Sequence, residues 1–122
     1  MQISSESQLP LFVFGTLRRG ECNHHCLADT YDRWLPATLH DFRRAQTSHG
    51  YPGIEPSPGD SVTGELFFIR RILFARTLEL CDRLEDIPPG RLVGRYYRRA
   101  QVAVETSQGQ FAAWAYVDPA VA

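Results

Sequence analysis

The sequence predicts an α+β domain whose mixed or antiparallel sheet closes into a small barrel. Three observations carry this. A short apolar run, Leu9–Phe14, ends at Gly15 and reads as a buried strand. One stretch with helical spacing lies in the middle of the chain, from Phe74 to Glu85. Two β-type runs close the chain, joined by the turn Ser107-Gln108-Gly109-Gln110. The resulting order is β, short α, β, β, α, β, β, which suits a segregated α+β layout better than alternating β-α-β units.

In chain order, residues 1–8 are expected to be a flexible tail, and 9–122 one domain. After the strand Leu9–Phe14 comes the glycine-flanked loop Gly15–Gly20. Asn23 is placed to cap a short helix through about Ala28. Ala37 to Arg44 reads as a strand, with Pro36 near its start. Residues 46–60 read as a loop because of Tyr51-Pro52-Gly53 and Pro56-Ser57-Pro58-Gly59. Val62–Ile69 is a strand, and Arg70-Arg71 separate it from the helix. Pro88-Pro89-Gly90 ends that helix. Tyr96–Glu105 and Phe111–Val117 form the last hairpin.

Composition narrows the functional classes. The chain has 122 residues, 43% hydrophobic, enough for one small core. A formal net charge of -1 gives no bulk attraction to nucleic acid or anionic lipid, so neither is an expected partner. No apolar run approaches the roughly 20 residues that span a bilayer, and no membrane association is expected. The polar start MQISSESQ lacks the order of a secretion signal, and three cysteines are an odd number. Both point to the cytoplasm. All 13 basic residues are arginine, which excludes lysine Schiff-base chemistry and a phosphate loop of the usual lysine-bearing kind.

Three places could carry chemistry. From Phe74, helical steps reach Leu78, Cys81 and Glu85; Leu73, Leu80 and Leu84 widen this apolar arc, and Arg76, Glu79, Asp82 and Arg83 are assigned to the opposite side. Extended to its end, the pattern turns the Glu85 carboxylate toward the core and Asp86 toward solvent. A carboxylate in apolar surroundings is costly unless paired or protonated, which makes Glu85 a catalytic candidate. A glutamate at a helix end can equally curl back to water. The second place is Phe14-Gly15-Thr16-Leu17, where a strand ending in glycine can aim several backbone N–H groups one way and hold a carboxylate or oxyanion. An ordinary tight turn has the same spacing. The third is Tyr96-Tyr97-Arg98-Arg99, in which Tyr97 and Arg99 share one strand face; an inward Tyr97 needs a partner such as Glu85. The segment Cys22-Asn23-His24-His25-Cys26 is a poor metal site, because adjacent histidines on a helix point about 100° apart. No metal or other cofactor is expected.

Taken together, these stretches resemble the gamma-glutamylcyclotransferase-like family, and most of all its small gamma-glutamylamine cyclotransferase branch. The resemblance runs through LFVFGTLRRGECNHHCL (11–27), YPG (51–53), VTGELFFI (62–69), LELCDRLEDIP (78–88), YRRAQVAV (97–104) and AWAYV (113–117), in the family's order. It implies a small β-barrel with flanking helices and no cofactor. It also implies that Gly15, Thr16 and Leu17 bind the glutamyl end of a small gamma-glutamyl substrate. Glu85 then matches the acid/base and Tyr97 a tyrosine near the site. Two departures stand out: Phe14 replaces a tyrosine, and Asp86 replaces the glycine after the glutamate. The implied reaction is cyclisation of a gamma-glutamyl group to 5-oxoproline with release of an amine. A ligand-binding domain without turnover and a purely structural role are the alternatives. Monomer and homodimer are both compatible with the sequence.

Overall fold

A computed structural model describes residues 8–46 and 52–121. Five strands form a closed barrel: β1 (Leu11–Val13), β2 (Tyr31–Gln46), β3 (Pro52–Ile69), β4 (Arg98–Thr106) and β5 (Gly109–Val117). Their order around the barrel is β1-β3-β2-β4-β5. All neighbours are antiparallel except β5 and β1, which pair in parallel at Leu11 and Trp114 and close the barrel. Among the described residues there is one α-helix, α1 (Phe74–Leu84), which follows a 3-10 turn, Arg71–Leu73.

Alternation along the strands sorts the side chains into two cores. Phe12 of β1 and Phe14 just after it, Val62 and Leu66 of β3, Val104 of β4, and Ala113, Ala115 and Val117 of β5 fill one core. Leu11 and Val13, with Trp114 and Tyr116, point the other way and meet Phe74, Leu78 and Cys81 of α1. β1 is therefore covered on both faces, which is why its sequence is apolar at every position.

Several sequence expectations are corrected here. The predicted loop 46–60 is largely strand: β3 begins at Pro52 and pairs with β2 from Gln46↔Pro52 to Phe42↔Pro56. Its prolines and glycines read as punctuation, but this end of β3 has β2 as its only strand partner, and a proline can sit on the edge where no donor is needed. A register shift between His40 and Phe42, with Asp41 at φ 65°, absorbs the irregularity. β2 starts at Tyr31, well before the predicted Ala37. The helix expected over 23–28 is one 3-10 turn, His24–Cys26, and Asn23 does not cap it. Instead the Asn23 amide donates to the Thr16 hydroxyl at 2.9 Å, and the Asn23 backbone N–H to the Thr16 carbonyl at 2.9 Å. Leu80 and Leu84 are 44% and 40% exposed and do not belong to the buried face of α1. Of the predicted tail, residues 1–7 lie outside the described residues, as does Tyr51.

Candidate active site

The turn after β1 is built by backbone bonds. Arg18 N–H donates to the Gly15 carbonyl at 3.1 Å, and the Arg18 Nε–H donates to the same oxygen at 3.1 Å. The Leu17 carbonyl meets His24 Nδ1 at 2.8 Å, and Glu65 accepts the Arg19 N–H at 2.7 Å. The loop is thus held from behind by its carbonyls. Among the described residues, none of the Gly15, Thr16 and Leu17 N–H groups donates to a backbone carbonyl. A side chain added at Gly15 would meet nothing within 4 Å, so the backbone there borders open space. Phe14 is buried among the barrel residues, and its carbonyl accepts from Arg44 at 2.9 Å. Leu17 turns the other way, into the core beneath α1.

The helix carries its phase one residue past its end. α1 stops at Leu84, and Glu85 is the capping residue at φ -88° and ψ 11°. The Glu85 N–H still donates to the Cys81 carbonyl at 3.1 Å. Beyond it, Asp86 N–H donates to Arg83 O at 3.0 Å and Ile87 N–H to Asp82 O at 2.8 Å. These two bonds define a helix stop that requires a left-handed residue at position 86, and Asp86 has φ 61°. The glycine that the family resemblance implies here has a plain physical reason: it takes that conformation without a Cβ penalty. Aspartate is among the few side chains that tolerate it, so the turn survives the replacement. Asp86→Gly is therefore expected to raise stability by about 0.5–1 kcal/mol, read as a higher urea midpoint. A lower midpoint would show that the Asp86 carboxylate makes a contact outweighing its strain.

Burial, helped by the charge of Asp82, raises the Glu85 carboxyl from an ordinary 4.5 to about 7. Glu85 in turn helps to raise the Cys26 thiol, after burial. Cys26 and Tyr97 are half-buried against the cluster that holds Leu17 and Cys81. The structure thus packs Leu17, Cys26 and Tyr97 with the buried face of α1, and Glu85 follows at the end of that helix. Tyr97 precedes β4, and the expected pairing of faces holds, because Arg99 also points beneath the helix.

Asp82 is the residue sequence reasoning misplaced. It was assigned to the solvent side, yet its side chain is only 13% exposed. Arg99 Nε–H and a second guanidinium N–H donate to its two oxygens at 2.9 and 3.1 Å, and the Tyr116 hydroxyl donates at 2.6 Å. The signal was present: Asp82 follows Leu78 by four residues and so shares its face. Arg99 also stacks on Trp114, 4.5 Å from the ring centroid. A cavity of about 730 Å³ flanks α1 on this side, lined by Leu78, Asp82, Arg99 and Trp114 among others; Glu85 does not line it. Among the described residues, no three His, Cys, Asp or Glu side chains converge as metal ligands. His24 and His25 instead face the carbonyls of Leu17 and Cys22. Nor, among the described residues, is any helix long and apolar enough to cross a membrane.

Comparison with known proteins agrees with this fold. The fold is similar to that of YkqA from Bacillus subtilis, with a TM-score of 0.66 at 24% identity, over 90% of this chain and 35% of YkqA. An Arabidopsis thaliana protein known from its solution structure matches with a TM-score of 0.67 at 26% identity, over 94% of this chain and 72% of its own. A gamma-glutamyl cyclotransferase structure matches with a TM-score of 0.58 at 20% identity, over 90% and 66% of the two chains. This chain thus spans about a third of YkqA and less than two thirds of some other relatives. Among curated proteins nothing matches. Residues 11–120 match the family described as gamma-glutamyl cyclotransferase, AIG2-like, and the chain belongs to that family.

Proposed function

We propose that this chain cyclises gamma-glutamyl amines, releasing 5-oxoproline and the free amine, with Glu85 as general acid/base. The observation that carries the reading is the Glu85 carboxyl at the end of α1, raised to about 7 by burial and by the charge of Asp82. The substrate's α-amine attacks its own γ-carbonyl carbon, a new C–N bond closes the five-membered ring, and the γ-amide C–N bond breaks. Both reacting groups belong to one molecule, so the protein's task is to fold them together.

The α-amine has a reference pKa of about 7.7–8.0 and is mostly protonated near neutrality. Ionised Glu85 removes that proton and then passes it to the departing amine. An ordinary glutamate would be a weak base for this, whereas one near 7 is matched to both transfers. The N–H groups of Gly15, Thr16 and Leu17 would hold the substrate's α-carboxylate or polarise its γ-carbonyl. Phe14 sets the start of that turn through its backbone carbonyl, which would explain why the hydroxyl of the family's tyrosine can be absent. Tyr97 would border the substrate opposite the turn.

A screen for 5-oxoproline release over a panel of gamma-glutamyl amines tests the reading. Release that depends on Glu85 is the expected result. Binding of 5-oxoproline with no turnover on any amine would instead support the ligand-binding alternative.

A further inference from the structure

The buried cluster Asp82–Arg99–Tyr116 has no part in the proton transfers above, yet it lies one turn from Glu85. Its existence needs a reason other than stability. Arg99 and Asp82 are 12% and 13% exposed, and an ion pair so far from water recovers little more than its desolvation cost. Phe74, Leu78 and Cys81 already dock α1 on the barrel. What three hydrogen bonds onto one carboxylate add is direction. The planar Arg99 fork fixes the carboxylate plane, and the Tyr116 hydroxyl fixes one oxygen within it.

We propose that Asp82 is a positioning residue: it anchors the last turn of α1 to β4 and β5 and presents a fixed negative charge to Glu85. The inference rests on reading Glu85 as the acid/base. Two connections run through Asp82. Its side chain is tied to Arg99 on β4 and Tyr116 on β5, and its carbonyl accepts the Ile87 N–H that closes the turn around Glu85. Glu85 therefore sits inside a loop of bonds that begins and ends at one residue. The helix cannot rotate about its axis without breaking the Arg99 fork.

The charge has a second effect. The titratable and charged groups nearest this end of α1 are Cys81, Asp82 and Asp86 on the helix and its stop, and Cys26 on the 24–26 turn. Tyr97 precedes β4, Arg99 lies on it, and Tyr116 lies on β5. Of these, Asp82 is the one whose charge holds the Glu85 proton more tightly, after burial. Arg99 and Tyr116 hold the Asp82 side chain in place through these three hydrogen bonds.

The test is a carbon-NMR titration of the Glu85 carboxyl in the whole chain, which reads Glu85 whether or not the enzyme turns over. Asp82→Asn keeps the shape and most hydrogen bonds but removes the charge, and should lower the Glu85 midpoint by about one unit. Arg99→Gln removes the opposing charge and should raise it. Opposite shifts are the expected signature; a structural role would not make them opposite. Asp82→Ala loses the anchor as well, and its kcat at its own pH optimum should fall at least tenfold below that of Asp82→Asn. Midpoints unmoved by both charge changes, or equal kcat for Asp82→Ala and Asp82→Asn, would overturn the proposal. Failure of the acid/base reading shows separately, as full turnover in Glu85→Gln, and failure of the cyclisation reading as no 5-oxoproline release by the wild type.

Discussion

Glu85→Gln should cut 5-oxoproline release by at least about a hundredfold while leaving the fold intact, the lower end of what a positioned acid/base supplies. Glutamine has nearly the same shape but cannot carry the proton from the α-amine to the leaving group. The wild-type acid limb of kcat/KM should lie near pH 7, the value to which burial and Asp82 push the Glu85 carboxyl. The same substitution makes a second measurement possible. A carboxyl whose folded value exceeds its unfolded value favours the folded state below the unfolded value. That contribution is lost as pH rises through the folded one. Wild-type stability should thus fall between about pH 4.5 and 7 and level off above, a slope that Glu85→Gln lacks. At pH 8 the variant should melt above the wild type. Undiminished turnover, or a wild-type melting curve parallel to the variant's across this range, would falsify the role given to Glu85.

The largest effect on the fold is expected at Gly64→Ala. Gly64 lies in β3 between the inward-facing Val62 and Leu66, just past the end of the antiparallel pairing of β1 with β3 at Val13↔Glu65. A Cβ there would collide with the Val13 carbonyl oxygen and come within 2.8 and 2.9 Å of two Phe12 ring atoms. The ring can shift slightly; the carbonyl belongs to a strand covered on both faces and cannot. Overpacking of this kind costs about 1–3 kcal/mol, and the upper end is expected against backbone. For a domain of this size that is roughly a 10 °C fall in melting temperature by calorimetry. β1 leads directly into Phe14–Leu17, so any displacement reaches the proposed substrate turn. A misplacement of order 1 Å would lower turnover by about a hundredfold. A variant with wild-type melting temperature would show that the approach of β1 to β3 has slack.

The periodic elements were legible because their physics is local. β1 and β5 were placed within a few residues, and α1 was found from its buried face at Phe74, Leu78 and Cys81. The phase of that helix carried Glu85 to the buried side even though α1 ends one residue earlier. Segments rich in proline and glycine were misread for a related reason. Those residues mark turns on average, but Pro56 pairs opposite Phe42 of β2 at an end of β3 where a missing donor is tolerated.

The sequence by itself determined the apolar strands, the helix phase and the stretches that carry the family resemblance. Each depends on residues near one another in the chain. Only the tertiary structure decided what Asp82 does, how Asp86 fills a glycine's place and why Gly64 must be glycine. Arg99 and Tyr116 lie 17 and 34 residues from Asp82, and Val13 lies on another strand from Gly64. Whether a carboxylate faces solvent or an arginine fork depends on which strands close the barrel beneath it, and no local pattern encodes that closure.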